Sequence, residues 1–319
     1  MPELQGIQAY QEAIQKMVLH LSAQPEIKAI YRIGGVSSPG ISDIDLYVVF
    51  HEGSSYHDNP VKGLTRTDRY LFTHNLFGTS EKLAVQMEPF TFFGKYELIY
   101  GTDVGMLSFT LPPDQVPELE KQVALEYLAK AFLSICSNTN AGVIKVRGLL
   151  LHAKALLLDL NLLGVTSGPL YSLLQKMLEI RSNWFTNASS LQALSETIEP
   201  YKLHLQQLLQ EQITINRFYI DSTVNKEVAK NMTLHNGSKV EVKTHGFKIP
   251  GLLNSRIKKL RSIHNRISHM ELVMPLTHTN IPTAVEKRFT LFRTAESLNA
   301  KNFPAFLPTA YGLHLFKPN

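Results

Sequence analysis

Tyr31-Arg-Ile-Gly-Gly-Val-Ser-Ser-Pro-Gly40-Ile-Ser-Asp-Ile-Asp45-Leu-Tyr-Val-Val-Phe50 decides how the first third of this 319-residue chain folds. An apolar segment, residues 28–33, runs into Gly34-Gly35, a loop of small residues follows, and Asp43 and Asp45 then open the run Leu46-Tyr-Val-Val-Phe50. Unbroken β-branched and aromatic residues favour a buried strand. On a strand, residues i and i+2 leave the same face about 6–7 Å apart along the backbone, so the two aspartates share a face. Carboxylates that close repel when both are ionised, and a divalent cation relieves the repulsion. Gly34, Gly35 and Gly40 let backbone N–H groups approach an anion, and Ser37 and Ser38 add hydroxyl donors. The plainer reading is a glycine-rich turn with each aspartate solvated at a strand mouth. The strand-like segments on both sides favour the metal-and-phosphate reading.

The stretch resembles the signature of the nucleotidyltransferases of the DNA polymerase β-like superfamily: a hydrophobic residue, Gly, then Gly or Ser, a short loop, and Asp-hydrophobic-Asp-hydrophobic. Ile33-Gly34-Gly35 matches the first half and Asp43-Ile44-Asp45-Leu46 the second. The resemblance extends over residues 25–105, and its specificity rests on 33–46. It implies an α+β fold whose N-terminal, nucleotidyltransferase-like mixed sheet carries flanking helices. By the same resemblance Gly34, Gly35, Ser37 and Ser38 hold the phosphates of a nucleoside triphosphate, and Asp43 and Asp45 are the catalytic, magnesium-binding (Mg2+) pair. A third carboxylate from a later strand usually completes such a site. The order of elements places that strand at Arg69-Tyr-Leu-Phe-Thr-His74, with Asp68 at its mouth and His74 and Asn75 at its far end; Glu97 comes one strand later. The implied activity is transfer of a nucleoside monophosphate from the triphosphate to a hydroxyl acceptor, with release of pyrophosphate. A fold that keeps the nucleotide but has lost transfer chemistry is the second reading.

Composition sets the outer limits. An apolar content of 44% with 18% charged residues suits a globular chain of this length, with room for more than one domain. The most apolar run, Val143 to Leu163, is interrupted by Lys145, Arg147, His152, Lys154 and Asp159, which suits a buried helix and not a membrane span. The first residues lack the basic-then-apolar pattern of a signal peptide. Cys136, the only cysteine, excludes an intramolecular disulfide and fits a cytoplasmic setting; it lies on an apolar helical face and reads as core. The net charge of +5 hides an asymmetry, because residues 226–319 carry 15 Lys/Arg against 5 Asp/Glu. Such a surface attracts anions, nucleic acid among them, or is simply solvated.

Three stretches follow from the patterning: a catalytic-type domain over 1–111, a helical domain over 112–225 and a basic region over 226–319. Ile7, Tyr10, Ile14, Met17, Val18 and Leu21 recur at helical spacing, and the loop 51–67 has no alternating pattern. Pro112-Pro113-Asp114 marks the first boundary. Beyond it Leu119, Val123, Tyr127, Ala131 and Ile135 trace one helix, and a second over 141–163 stops at Gly164. Further helices over 170–220 are expected to break near 183–190 and at Pro200. Arg147 and Lys154 share a helical face, either toward a phosphate, with Lys145 nearby, or with their stems snorkelling along the bundle; the second is preferred, because spacing fixes a shared face and not what it faces. In the last region Asn236-Gly237, between apolar-bearing arms within 232–243, predicts a two-residue hairpin. Residues 254–270 predict an amphipathic basic helix without aromatic residues, which favours a small-molecule or protein acceptor over a long nucleic acid. No histidine pair has the spacing of a helical zinc motif, so none is assigned a metal, and the tail beyond Pro275 has no assignable pattern.

Overall fold

A computed structural model describes residues 1–93, 95–108, 110–221, 226–229, 231–246 and 267–309. Among these the fold is α+β, with eight helices and two mixed four-stranded sheets. The first sheet holds β1 (Ile27–Ile33), β2 (Asp45–Phe50), β3 (Phe77–Ser80) and β4 (Tyr96–Gly101) in the order β3-β2-β1-β4. β1 runs antiparallel to both β2 and β4, whereas β2 and β3 are parallel. Period-two alternation divides β2 cleanly. Leu46, Val48 and Phe50 pack with Tyr10, Ala13, Met17 and Leu21 of α1 (Ile7–Ser22). Tyr47 and Val49 face the other way, toward Ala29, Tyr31 and Ala84 of α3 (Glu81–Thr91). Asp45 continues that second face at the strand mouth.

The strand expected over 69–74 is instead the end of a short helix, α2 (Arg66–Leu71). Thr65 caps it: its Oγ1 accepts from the Asp68 amide at 3.1 Å and donates to Asp68 Oδ2 at 2.9 Å. This reciprocal N-terminal cap satisfies helix donors and overrides the strand preference of Tyr70-Leu71-Phe72. The strand of the sheet begins later, at Phe77. Gly78 there lies against β2 so closely that an added Cβ would sit 2.4 Å from the Val48 carbonyl oxygen.

Four long helices follow: α4 (Val116–Asn140), α5 (Val146–Leu162), α6 (Pro169–Ser182) and α7 (Ser190–Asn216). α5 stops before Gly164, whose φ of +71° suits glycine, and α6 restarts on Pro169. The break expected at Pro200 does not occur, since α7 runs through it. An internal proline removes one helical hydrogen bond, but Leu194, Thr197, Tyr201 and Leu205 stay buried on both sides of it and hold the helix in register against the bundle. Cys136 is buried, as its apolar face predicts. No helix among the described residues is long and apolar enough to cross a membrane.

The second sheet holds β5 (Lys226–Ala229), β6 (Met232–Asn236), β7 (Glu241–Gly246) and β8 (Ser268–Met274) in the order β5-β6-β8-β7. The hairpin at Asn236-Gly237 is therefore corrected. β8 inserts between the two arms, parallel to β6 and antiparallel to β7, and the Gly237 amide donates to the Met274 carbonyl at 3.0 Å. Met270, Leu272 and Met274 alternate inward, and a strand buried this way needs a neighbour on each edge. The hairpin that forms is β5–β6. Residues 268–270, expected at the end of the basic helix, belong to β8; residues 254–266 of that expectation lie outside the described residues.

α8 (Thr283–Asn302) occupies part of the tail that carries no readable pattern. Its buried face includes Arg288 and Asn299, so it lacks a continuous apolar stripe. Arg288 forms a wholly buried ion pair with Glu126 of α4 at 2.6 Å, and the Gln122 side chain donates to Glu126. Asn299 accepts from Thr79 Oγ1 and donates to the Gly78 carbonyl. Beyond α8, Phe303 stacks on Phe50 with ring centroids 4.1 Å apart, and Leu307 bridges to Phe77 at the outer edge of β3. The chain's last described residues thus cover the first sheet.

Candidate metal centre and anion-lined cavity

Asp45 is the first residue of β2 and Asp43 lies just before it; the parallel pairing of Tyr47 with Phe77 draws Thr73-His74-Asn75 alongside them. One carboxylate oxygen from each aspartate and one ring nitrogen of His74 all lie within 4.8 Å of one another. Such a group can hold a metal ion. Thr73 Oγ1 donates to Asp43 Oδ2 at 2.6 Å. His74 Nδ1 donates to the Asn75 carbonyl at 2.6 Å, which leaves Nε2 3.0 Å from Asp45 Oδ1. Burial and then the charge of Asp45 push the Asp43 carboxyl above its ordinary range, against the Thr73 hydrogen bond and the charges of His74 and Arg147. Burial pulls the His74 imidazole down, but the bond to Asp45 and its charge, with Asn75 and Asp43, hold it above its ordinary value.

Neither carboxylate considered for the third place reaches the site. Asp68 is spent on the α2 cap and on Lys16, 3.4 Å away. Glu97 pairs across β1 with Arg32, one residue out of phase with the Asp45–Ile33–Tyr96 row, so it stands on the opposite face of the sheet. His74, assigned no metal from its sequence spacing, joins the two aspartates in a group that could hold one. Its signal is weak in sequence because its place depends on the register between β2 and β3.

The loop that presents Asp43 is braced from the helical bundle. Arg147 Nε donates to the Ile41 carbonyl at 2.8 Å, its Nη2 to Ser42 and its Nη1 to Tyr70, and its guanidinium lies 4.1 Å over the Tyr70 ring. The Arg147 guanidinium is thus committed to backbone carbonyls, a role neither expected reading included, and it also lines the cavity above the aspartates. Arg181 of α6 is 5% exposed and reaches the same loop. Its Nε donates to Ser38 Oγ and its Nη2 to Ser42 Oγ, both at 3.2 Å. Tyr10 Oη accepts from the Gly40 amide and donates to the Ser42 carbonyl. Gly40 has φ +82°, and a Cβ there would lie 2.5 Å from the Glu3 carbonyl oxygen. Arg181 escaped the sequence reading; its one signal is an arginine in phase with the buried Leu170, Leu174 and Met177.

Above the aspartates lies a cavity of about 880 Å³. Gly34, Gly35, Ser37, Asp43, Asp45 and His74 line it from the first sheet and its loops. Lys130, Lys145, Arg147, Lys154 and Arg181 line it from the bundle. Lys154 Nζ donates to Ser37 Oγ at 3.3 Å. Gly34 lines the cavity with its amide donating to the Lys95 carbonyl, and Ser38, bonded to Arg181 and Ser42, is not among the lining residues. Gly35 is exposed, with open space around its Cα. Phe77, Phe92 and Phe93 add aromatic surface. His152, on the bundle side, is pushed down to about 4, by burial first and by the Lys130 and Lys145 charges next. Comparison with protein-family models, with curated proteins and with solved structures finds no match, so the chemistry of the chain rests on this geometry.

Proposed function

We propose that the chain is a metal-dependent nucleotidyltransferase that moves a nucleoside monophosphate from a nucleoside triphosphate to a hydroxyl of a small molecule or a protein. One observation carries the reading: the Asp43–Asp45 pair opens into a cavity that is also lined by five basic side chains from the helical bundle. Acidic and basic side chains around one cavity suit a polyphosphate bound through a divalent ion. The donor set fits such an ion, because two carboxylates supply the oxygen ligands that magnesium, the metal implied by the resemblance, prefers.

When bound, the ion neutralises phosphate charge and polarises the α-phosphoryl group. The chain's own groups do the rest. Asp43 and Asp45 hold the ion; Gly35, Ser37 and Lys154 bind and orient the phosphates; the aromatic residues offer a surface for the base. The acceptor oxygen forms a bond to the α-phosphorus as the bond to the bridging oxygen breaks. Pyrophosphate leaves with that electron pair, and the hydroxyl proton passes to water. The cluster contains no third carboxylate among the described residues, and this favours the second reading, a relative that binds nucleotide without transferring it.

The test is Asp43→Asn combined with Asp45→Asn, followed by nucleotide-dependent thermal stabilisation with and without Mg2+ and by pyrophosphate release over acceptor panels. The expected result is loss of metal-dependent stabilisation and of turnover in a folded protein. Equal stabilisation in the double variant overturns the proposal; metal-dependent binding without turnover in the unmodified chain selects the non-transferring relative.

A further inference from the structure

We infer that the third protein ligand of this metal centre is Nε2 of His74, and that the imidazole makes the site prefer manganese(II) over magnesium. The inference rests on the metal-binding part of the proposal above and not on nucleotidyl transfer. Four observations carry it. One ring nitrogen of His74 belongs to the same 4.8 Å group as the two carboxylates, and Nε2 lies 3.0 Å from Asp45 Oδ1, a contact that a bound ion would replace. The other ring nitrogen is engaged by the Asn75 carbonyl at 2.6 Å, the arrangement by which a ligating histidine has its tautomer and ring plane fixed. The ring packs on Phe77 at 4.7 Å, and its side chain is 34% exposed, so it is held in place yet open to the cavity. The two nearby carboxylates that could compete are committed elsewhere, Asp68 to Thr65 and Lys16, Glu97 to Arg32.

The selectivity follows from ligand type. Magnesium holds its water tightly and takes oxygen donors in a near-ideal octahedron, and replacing one oxygen by an imidazole weakens it. Imidazole suits the divalent first-row metals, whereas carboxylate, water and phosphate oxygens suit magnesium and manganese alike. Manganese(II) accepts both kinds of donor and leaves coordination positions for phosphate oxygens.

The experiment uses the full chain without nucleotide. Manganese(II) is titrated and followed by electron paramagnetic resonance, magnesium is measured by competition, and the bound manganese is examined by electron spin-echo modulation. The expected result is nitrogen-14 modulation from a coordinated imidazole and a preference for manganese of about tenfold or more. His74→Gln should remove the modulation and weaken manganese binding about tenfold. His74→Asp should also remove it while shifting the preference toward magnesium. Bound manganese without nitrogen modulation in the unmodified chain overturns the inference, as does an unchanged metal preference in the folded His74→Asp variant. Asp43→Asn with Asp45→Asn separates the two levels. If manganese binding needs both aspartates but shows no nitrogen, only the role of His74 fails; if it survives their loss, or never occurs, the metal centre itself fails.

Discussion

Arg147→Met isolates how the bundle shapes the acidic site. Methionine keeps most of the apolar stem and removes the guanidinium, which donates to the carbonyls of Ile41, Ser42 and Tyr70 and lies 4.1 Å over the Tyr70 ring. Hydrogen bonds to a charged group contribute about 1.5–3 kcal/mol each and the cation–π contact about 1 kcal/mol, a ceiling near 5–10 kcal/mol. Arg147 lines the cavity, however, so water replaces the guanidinium at the abandoned carbonyls and much of that ceiling is recovered. A net cost of about 3 kcal/mol is expected, read as a lower urea midpoint at unchanged slope. The carbonyls of Ile41 and Ser42 lead directly into Asp43, so the variant should also bind metal about tenfold more weakly, equivalent to about 1.4 kcal/mol. Lys154→Met is the control: its Nζ touches the Ser37 hydroxyl and none of the carbonyls that lead into Asp43, so stability and metal affinity should hold while nucleotide affinity falls. An Arg147→Met protein with unchanged urea midpoint and unchanged metal affinity would refute the bracing argument.

Two further outcomes follow from buried charges. Arg288→Met leaves Glu126 ionised or protonated at a cost in a site with no exposure, and about 3–5 kcal/mol of stability should be lost; adding Glu126→Gln should recover most of it, and denaturant midpoints that fail to recover would show that the pair is not the source. Burial pushes the Glu88 carboxyl on α3 from its ordinary value of 4.5 to about 7. The folded state therefore holds that proton more tightly, and the contribution is fully present below pH 4.5 and lost as pH rises through 7. Glu88→Gln should match the unmodified protein at the acid end and exceed it in stability above pH 7; urea midpoints whose difference stays flat across that window would contradict it.

The parts of the fold legible in sequence are those fixed by neighbours along the chain. The strand, glycine turn and Asp-Ile-Asp opening of β2 follow from side-chain chemistry within twenty residues, and the four bundle helices follow from spacing, Gly164 and Pro169. What escaped depends on distant partners. Asn236-Gly237 has the residues of a tight hairpin, but β8 arrives from thirty residues away and takes the place between the arms. The segment Tyr70-Leu71-Phe72 is the exception: its helix is set by a local cap, Thr65–Asp68, that overrides the strand preference. α8 hides because its buried face includes an arginine whose partner, Glu126, is on α4.

The same division runs through the site. Asp43 and Asp45 are readable because both come from one strand mouth, whereas His74, Arg147 and Arg181 become site residues only when three separate elements dock on residues 38–45. Both arginines spend their donors on the loop: Arg147 takes its carbonyls, Arg181 its serine hydroxyls, and Ser42 is shared between them. Lys154, beside Ser37, is a cavity cation that makes no contact with the carbonyls and serines of residues 38–42. The bundle thus contributes two kinds of charge, one that fixes the position of the acidic pair and one that faces what the pair would bind. A shift of α5 or α6 along its axis would disturb both together, so metal affinity and phosphate affinity should respond jointly to substitutions in the α5–α6 contact, such as Leu156 or Leu174, though neither side chain touches the cavity.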